Sequence, residues 1–283
     1  MPNVKQYCVT ILSLFCTTTI FAQQKDTSFV KPEPVFNIRN KFDIPATAVL
    51  AGWPLFAMSI IYDRDPVPVT EVNTLDIHNI NKFDRPIADN YDEKARKASD
   101  KFFYGSMPLP LFLLLDKKIR KDGLKVGLLY LETMGVTGSV YVTSAMLANR
   151  FRPYAYNANV DITKRTRGGA RNSFFAGHPA FVASSTFFMA EVYTSYHPEM
   201  REKWILYSVA GAAAVTTGLL RLKAGQHFRT DVLTGLTVGT LSGILIPHFH
   251  KNKNYDKRRL TLMPNYENGA TGFTALYKID KRR

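Results

Sequence analysis

The sequence predicts an all-α protein, a bundle of several membrane-spanning helices, with a β-hairpin at its C-terminal end. Three observations support this fold class. Apolar runs near spanning length recur along the chain, Lys and Arg collect beside those runs, and the C-terminal tail alternates apolar and polar residues. The bundle is expected to occupy residues 45–250, and a basic tail is expected over residues 251–283.

The apolar runs differ in strength. Gly, Ala, Ser and Thr are frequent in them, and these small residues allow helices in lipid to approach closely. The alternative is a soluble helical bundle, but consecutive uncharged stretches near the roughly 20 residues that cross a bilayer favour a membrane. The four strong runs cover residues 126–147, 174–196, 204–222 and 232–249, and the two weaker ones cover residues 45–62 and 107–116.

The N-terminal region indicates export or membrane insertion. Residues 1–22 combine Lys5, an apolar run and small residues before Gln23, which is typical of a cleaved signal peptide; the alternative is a first membrane helix. A polar tether is expected over residues 23–44. Both cysteines lie in the first segment, so a cleaved chain would hold no cysteine for a disulfide, a thiolate nucleophile or a metal site.

The net charge is +14, from 37 basic and 23 acidic residues. No nucleic-acid-binding motif accompanies this charge, so we expect no nucleic-acid partner. Because Lys and Arg favour the cytoplasmic ends of spans, the basic clusters at 117–125 and 251–259 are expected to be cytoplasmic. The connections 148–173 and 223–231 would then face the periplasm. This count requires one weak run not to cross, and the shorter one, 107–116, is the better candidate.

The tail is expected to form the hairpin. Apolar and polar residues alternate on both sides of Asn268 and Gly269, and Asn-Gly is a strong signal for a tight hairpin turn.

Charged and histidine residues cluster at the span ends that this topology places on one side. Guanidinium groups bind phosphate oxygens through paired hydrogen bonds, and a glycine lets a backbone amide approach an anion. Each residue alone has an ordinary explanation, such as an interfacial histidine or a helix cap. Together they form a candidate phosphoryl-transfer site: Arg152, Gly177, His178, Arg221, His227 and Asp231.

The two histidines suggest how such a site would work. The four-residue spacing of His227 and Asp231 favours one helix face, where the carboxylate would bond one imidazole nitrogen. The other nitrogen would then be free as a nucleophile. His178 could protonate the leaving oxygen. This chemistry needs neither a metal nor a cofactor.

Three stretches carry a family resemblance: "AMLANRFRP" (145–153), "FAGH" (175–178) and "LRLKAGQHFRTD" (220–231). They resemble the ordered motifs KxxxxxxRP, PSGH and SRxxxxxHxxxD of the type 2 phosphatidic acid phosphatase family, which is related to vanadium haloperoxidases. The resemblance covers roughly residues 126–249.

The resemblance implies a multi-pass helical bundle in a bacterial-type inner membrane, with its active site facing the periplasm. It also implies removal of phosphate from a membrane lipid through a phosphohistidine intermediate. By position, His227 would be the nucleophile, Asp231 its orienting partner and His178 the leaving-group acid. The phosphate would be held by Arg152, Arg221 and the amide of Gly177.

The sequence departs from the family pattern at three phosphate contacts. Ala145 replaces the motif lysine, Ala176 the serine of PSGH, and Leu220 the serine before the motif arginine. Losing a charged contact could slow the reaction about a hundredfold or more. The candidates to replace the lysine are Arg150, Lys164, Arg165, Lys223 and Arg229.

Other functions stay open at this point. A catalytically weakened relative could bind an anionic lipid head group, and a haloperoxidase would share the motifs. A transporter is less favoured, because no span carries an ionisable residue at mid-depth except Glu132 and Glu191, and both are expected toward span ends or flanks. The sequence does not predict the lipid or the oligomeric state.

Overall fold

The computed structural model describes residues 34–252, 260–267 and 270–277. Two compact units are present: a helical unit, Val35–Lys251, and a second unit that includes the two strands. The predicted signal segment 1–22, most of the tether and the predicted turn at Asn268 and Gly269 lie outside the described residues.

Six long helices form the helical unit within the described residues. They are α1 (Asp43–Tyr62), α2 (Glu93–Ser106), α3 (Gly123–Ala148), α4 (Gly177–Tyr196), α5 (Lys203–Lys223) and α6 (Arg229–His250). Short α-helices and 3₁₀ turns connect them: Val69–Asn73, Ile77–Asn79, Arg85–Ile87, Leu109–Leu115, Lys117–Arg120, Pro153–Tyr156, Ile162–Arg165 and Gly168–Arg171. The prediction of a helical bundle is therefore confirmed.

The outer surface of the helical unit suits a bilayer. The helices α1, α5 and α6 are each long and apolar enough to cross a membrane. Large apolar side chains on them face outward, including Leu55, Val209 and Leu219, which are 75%, 64% and 60% exposed. Burying such surface in hydrocarbon rather than water is favourable. This is the surface of a membrane protein, as predicted.

Helix α4 lies at the centre of the unit and packs against α2, α3, α5 and α6. Small residues allow its closest contact, with α6. A Cβ atom built on Gly239 would lie 2.0 Å from the carbonyl oxygen of Ala180, so only glycine permits this approach. On the outside, α1 packs along α3.

Residues 93–115 correct one topological expectation. The run 107–116 was expected not to cross, but its 3₁₀ turn Leu109–Leu115 continues α2 along the bundle. The Ser106 carbonyl accepts a hydrogen bond from Ser185 at mid-height of α4, and Asp116 contacts His197 beyond the end of that helix. The segment thus traverses the bundle as a broken helix, which a search for one continuous apolar run overlooks.

The two ends of the helical unit differ in character. At one end, His250 lies 3.6 Å from both Asp43 and Glu132, so the first and last long helices meet there. The connection 63–92 packs at the opposite end, where Asn90 donates a hydrogen bond to the carbonyl of Leu222. That opposite end holds all the predicted site residues.

The second unit contains an antiparallel hairpin. Strand β1 (Leu260–Glu267) pairs with β2 (Ala270–Tyr277), with Leu260 opposite Tyr277 and Glu267 opposite Ala270. The two strands confirm the predicted hairpin.

Candidate active site

The candidate site is built where three helix ends and two connections meet. It uses the start of α4, the end of α5, the start of α6 and the connections 149–176 and 224–228. The connections are joined directly, because the backbone amide of Tyr154 donates to the carbonyl of Gly225 at 3.0 Å. The sequence pattern therefore identified residues that the fold brings together.

His227 lies in the connection before α6 and is 1% exposed. Its Nδ1 atom is 2.7 Å from the carbonyl oxygen of Ser173. A carbonyl only accepts hydrogen bonds, so Nδ1 carries the proton and Nε2 keeps a free electron pair. Burial, followed by the positive charges of Arg152 and Arg221, holds the pKa of His227 well below its ordinary value near 6.5. The imidazole is therefore neutral at physiological pH.

Asp231 does not take the position that its spacing suggested. Helix α6 begins at Arg229, so His227 stands outside the helix and the two residues do not share a helical face. The Asp231 carboxylate instead accepts from the Ser173 hydroxyl at 2.6 Å and from the Phe228 amide at 2.8 Å. It caps the helix and reaches His227 only through Ser173.

Arg150 supplies the countercharge for this buried carboxylate. Its guanidinium is 2.5 Å from Asp231 and 2.8 Å from Asp84, and both carboxylates are fully buried. Asp84 also accepts from the amide and hydroxyl of Thr230 at the start of α6. Arg150 thus joins the 63–92 connection to the first turn of α6, and it is not a free phosphate ligand.

Arg152 and Arg221 converge on Gln226. The Gln226 side-chain oxygen accepts from Arg152 at 3.0 Å and from Arg221 at 3.4 Å. Arg152 also lies 3.4 Å from Nε2 of His227. The Nε atom of Arg221 is buried and has no hydrogen-bond partner among the described residues. A buried guanidinium N–H without an acceptor, close to a second guanidinium group, is typical of an anion-binding site.

His178 and Gly177 form the first turn of α4. Nε2 of His178 is 3.0 Å from Asp100 of α2, and the same Asp100 oxygen lies 3.2 Å from Arg221. A Cβ atom on Gly177 would lie 2.9 Å from the Tyr141 ring, so glycine lets this turn pack tightly. Arg221 connects the two imidazoles, because it bonds Asp100 beside His178 and shares Gln226 with Arg152 beside His227.

The departures from the family pattern are buried in the fold. Ala145 is 1% exposed and packs in an apolar cluster with Tyr141 and Phe175. Ala176 is fully buried, and its amide donates to the Asp231 carbonyl. Leu220 is half-buried in the last turns of α5. No charge replaces the lysine at its own position.

Most candidate substitutes for that lysine have other partners. Arg165 donates to the Ala155 carbonyl, Lys223 pairs with Asp92, and Arg229 donates to the Phe83 carbonyl. Lys164 differs, because it lines a cavity that also reaches Gln226.

Four residues of the site were not predicted: Ser173, Asp100, Gln226 and Asp84. Ser173 and Gln226 lie between predicted residues in the sequence, but neither Ser nor Gln carries a charge that would single it out. Asp84 and Asp100 lie far from the three motifs in sequence, so no residue spacing connects them to the site. Within the part of the chain that the structure describes, no three His, Cys, Asp or Glu side chains form a metal-ligand group.

Comparison with known proteins gives three results. A search of curated proteins found no match. The chain is similar to a solved structure described as the first transmembrane PAP2-type phosphatidylglycerolphosphate phosphatase from Bacillus subtilis, at 21% identity and a TM-score of 0.46, covering 75% of this chain and 98% of that one. Residues 126–255 match the sequence model of the PAP2 superfamily. The matched part of the chain carries the three motifs, and the match confirms the predicted resemblance to this family.

Proposed function

We propose that this protein is a membrane-bound lipid phosphatase that transfers a phosphoryl group to Nε2 of His227. One observation carries the proposal. The bond from Nδ1 to Ser173 leaves Nε2 unprotonated, and this nitrogen faces Arg152, 3.4 Å away. A neutral nucleophile beside guanidinium groups with unused hydrogen-bonding capacity is suited to attack on a phosphate ester.

The reaction proceeds in two steps. In the first, Nε2 of His227 forms a bond to phosphorus, the bond from phosphorus to the lipid oxygen breaks, and His178 gives that oxygen a proton. In the second, water attacks the phosphorus, His178 accepts a proton from it, and the P–N bond breaks to release phosphate. The histidines return to their starting states, and neither step uses a metal ion.

The phosphate oxygens would bind Arg152, Arg221 and the backbone amide of Gly177 at the start of α4. The Nε atom of Arg221 gains its missing acceptor in this arrangement. Gln226 must withdraw its side-chain oxygen from the two guanidinium groups, since it occupies the position that a phosphate oxygen would take. Asp100 would support His178 as the proton donor.

The substrate is a lipid presented by the bilayer around the helices. Phospholipids, polyprenyl diphosphates and lipid A-type glycolipids share the required group, a phosphate joined to an apolar anchor. The site lies at the end of the helical unit opposite the basic segment 117–125, so in a bacterial-type inner membrane it would face the periplasm.

The second candidate function is binding of an anionic head group without turnover. Ala145 and Ala176 favour it, because the lysine and serine that would contact phosphate are replaced by buried methyl groups. This candidate retains the guanidinium site but predicts no phosphate release.

The deciding experiment measures phosphate release by the full chain in detergent, with a chelator present, from a panel of the three lipid classes. We expect release that His227→Ala abolishes and that His78→Ala preserves. His78 is an exposed histidine of the 63–92 connection and serves as the matched control. Absence of release from folded wild-type protein, with phosphate binding retained, would favour the second candidate. Release unaffected by His227→Ala would refute the mechanism.

A further inference from the structure

A second polar cavity adjoins the candidate active site. It has a volume of about 410 Å³ and lies between α2 and the connection 149–176, with Gln226 in its lining. Gln226 also bonds Arg152 and Arg221, so one side chain contacts both the cavity and the proposed phosphate position. A ligand bound at the guanidinium groups therefore has room to extend past Gln226.

The lining of this cavity is predominantly cationic. Arg96, Lys164 and Arg167 contribute guanidinium or ammonium groups, against one carboxylate, Glu93. Arg96 is already paired, at 2.6 Å with Glu93 and at 3.1 Å with Asp100. The positive charge that is not neutralised inside the cavity belongs to Lys164 and Arg167.

Lys164 and Arg167 both have hydrogen-bond donors that the described residues do not use. The Lys164 ammonium bonds the hydroxyl of Tyr91 at 2.7 Å, which uses one of its three hydrogens. The Arg167 side chain is exposed and makes no hydrogen bond or ion pair with the described residues, and it lies on the same cavity wall. Neither cation is required to cap a helix or to neutralise a buried acid of the described core.

We propose that Lys164 and Arg167 form a subsite for a second anionic group of the substrate. The inference rests on the proposed function, since it places the reacting phosphate at His227 and a further phosphate in the adjoining cavity. The substrate class is then a lipid with two anionic groups, either a diphosphate or a head group that carries two separated phosphates. Charge-assisted bonds from Lys and Arg would distinguish it from a simple monophosphate.

The test measures binding to the purified full chain by calorimetry, so it does not depend on turnover. Three ligands are compared: orthophosphate, methylenediphosphonate for adjacent anions, and propane-1,3-diphosphonate for separated ones. The variants are Lys164→Ala and Arg167→Ala. Lys97→Ala is the control, because it removes an exposed cation of α2 that does not line the cavity.

We expect at least one diphosphonate to bind about tenfold or more tightly than orthophosphate. Each cavity variant should weaken that ligand about tenfold and change orthophosphate binding less than twofold, and Lys97→Ala should change neither. The diphosphonate that binds better gives the spacing of the two anions. Equal loss for all ligands, unchanged diphosphonate affinity, or no preference for a diphosphonate would overturn the subsite. Failure of the catalytic proposal is seen separately, as phosphate release that does not require His227.

Discussion

The Nδ1 atom of His227 is hydrogen-bonded to the backbone carbonyl of Ser173, and the Ser173 hydroxyl donates to the carboxylate of Asp231. One serine therefore links the proposed nucleophile to its acid through two different atoms. The acid positions the segment that holds the imidazole, and the backbone carbonyl determines which nitrogen carries the proton. The orientation of His227 and its protonation state are therefore controlled by two different groups.

Removing the Ser173 hydroxyl tests this link. Ser173→Ala keeps the carbonyl but removes one hydrogen bond to Asp231, so we expect kcat to fall about tenfold, equivalent to roughly 1.4 kcal/mol. The control is Ser195→Ala, since the Ser195 hydroxyl is buried without a partner among the described residues. An equal loss of kcat in both variants would show that Ser173 has no special role.

The pH dependence should reflect the buried imidazole. Only neutral His227 is nucleophilic, and its pKa lies well below 6.5 because of burial and the nearby guanidinium groups. We therefore expect kcat/KM to show no loss through pH 6.5 from this group and to decrease only at markedly lower pH. A steep decrease of kcat/KM centred near pH 6.5 would contradict this expectation if it persisted when each of the other histidines was substituted.

The same shift affects folding stability. A histidine whose pKa is lower in the folded state binds a proton more readily when unfolded, so stability is lost as pH falls below about 6.5. His227→Ala should reduce this slope between pH 6.5 and the lower folded pKa, measured by thermal unfolding in detergent. An unchanged slope would indicate that other groups control acid sensitivity.

Arg150 should be essential for stability rather than for phosphate binding. Arg150→Ala leaves Asp84 and Asp231 buried without a countercharge, which we expect to cost about 3 kcal/mol or more of unfolding free energy. Adding Asp84→Asn should recover part of that loss. Independent, additive effects in the double variant would show that the bridge is not energetically coupled.

Gln226 offers a test of where phosphate binds. Gln226→Glu places a carboxylate between Arg152 and Arg221, which would compete with an anion for both guanidinium groups. We expect inhibition by orthophosphate to weaken about tenfold or more, whereas Gln226→Ala should not weaken it. Equal inhibition of wild type and the Glu variant would place the phosphate elsewhere.

Close packing of α4 and α6 makes a further prediction. Gly239→Ala would drive a methyl group against the Ala180 carbonyl, and overpacking of this kind costs about 1–3 kcal/mol. Gly52→Ala is the control, because a Cβ there meets nothing within 4 Å. Equal thermal stability of the two variants would show that the interface relaxes without cost.

Much of the fold could be predicted because the length of an apolar run can be read directly from the local sequence. Each of the four strong runs became a long helix, and the alternating tail became a hairpin. The 93–115 crossing was missed because its apolar character is split between a polar-rich helix and a 3₁₀ turn that contains Pro110 and follows Pro108. Asp100 of this segment pairs with Arg221 and His178. A charge that lowers the hydropathy of helix α2 is therefore part of the candidate site.

The site was predictable where spacing carries chemistry and not where tertiary contacts decide it. The motifs located His227, Arg152 and Arg221 at one end of the bundle. The hydrogen-bond partner of the His227 ring could not be predicted from residue spacing. It depends on helix α6 beginning at Arg229, two residues after His227, and on the backbone carbonyl of Ser173 in the connection 149–176. Backbone acceptors have no sequence signature.

The meeting of Asp43 with His250 has a consequence for membrane sidedness. The chain enters and leaves the helical unit at the same end, so reporters fused before Val35 and after Lys251 should lie in the same compartment, opposite the site. Cytoplasmic reporters at both ends would place the catalytic end outside, and exported reporters at both ends would place it in the cytoplasm.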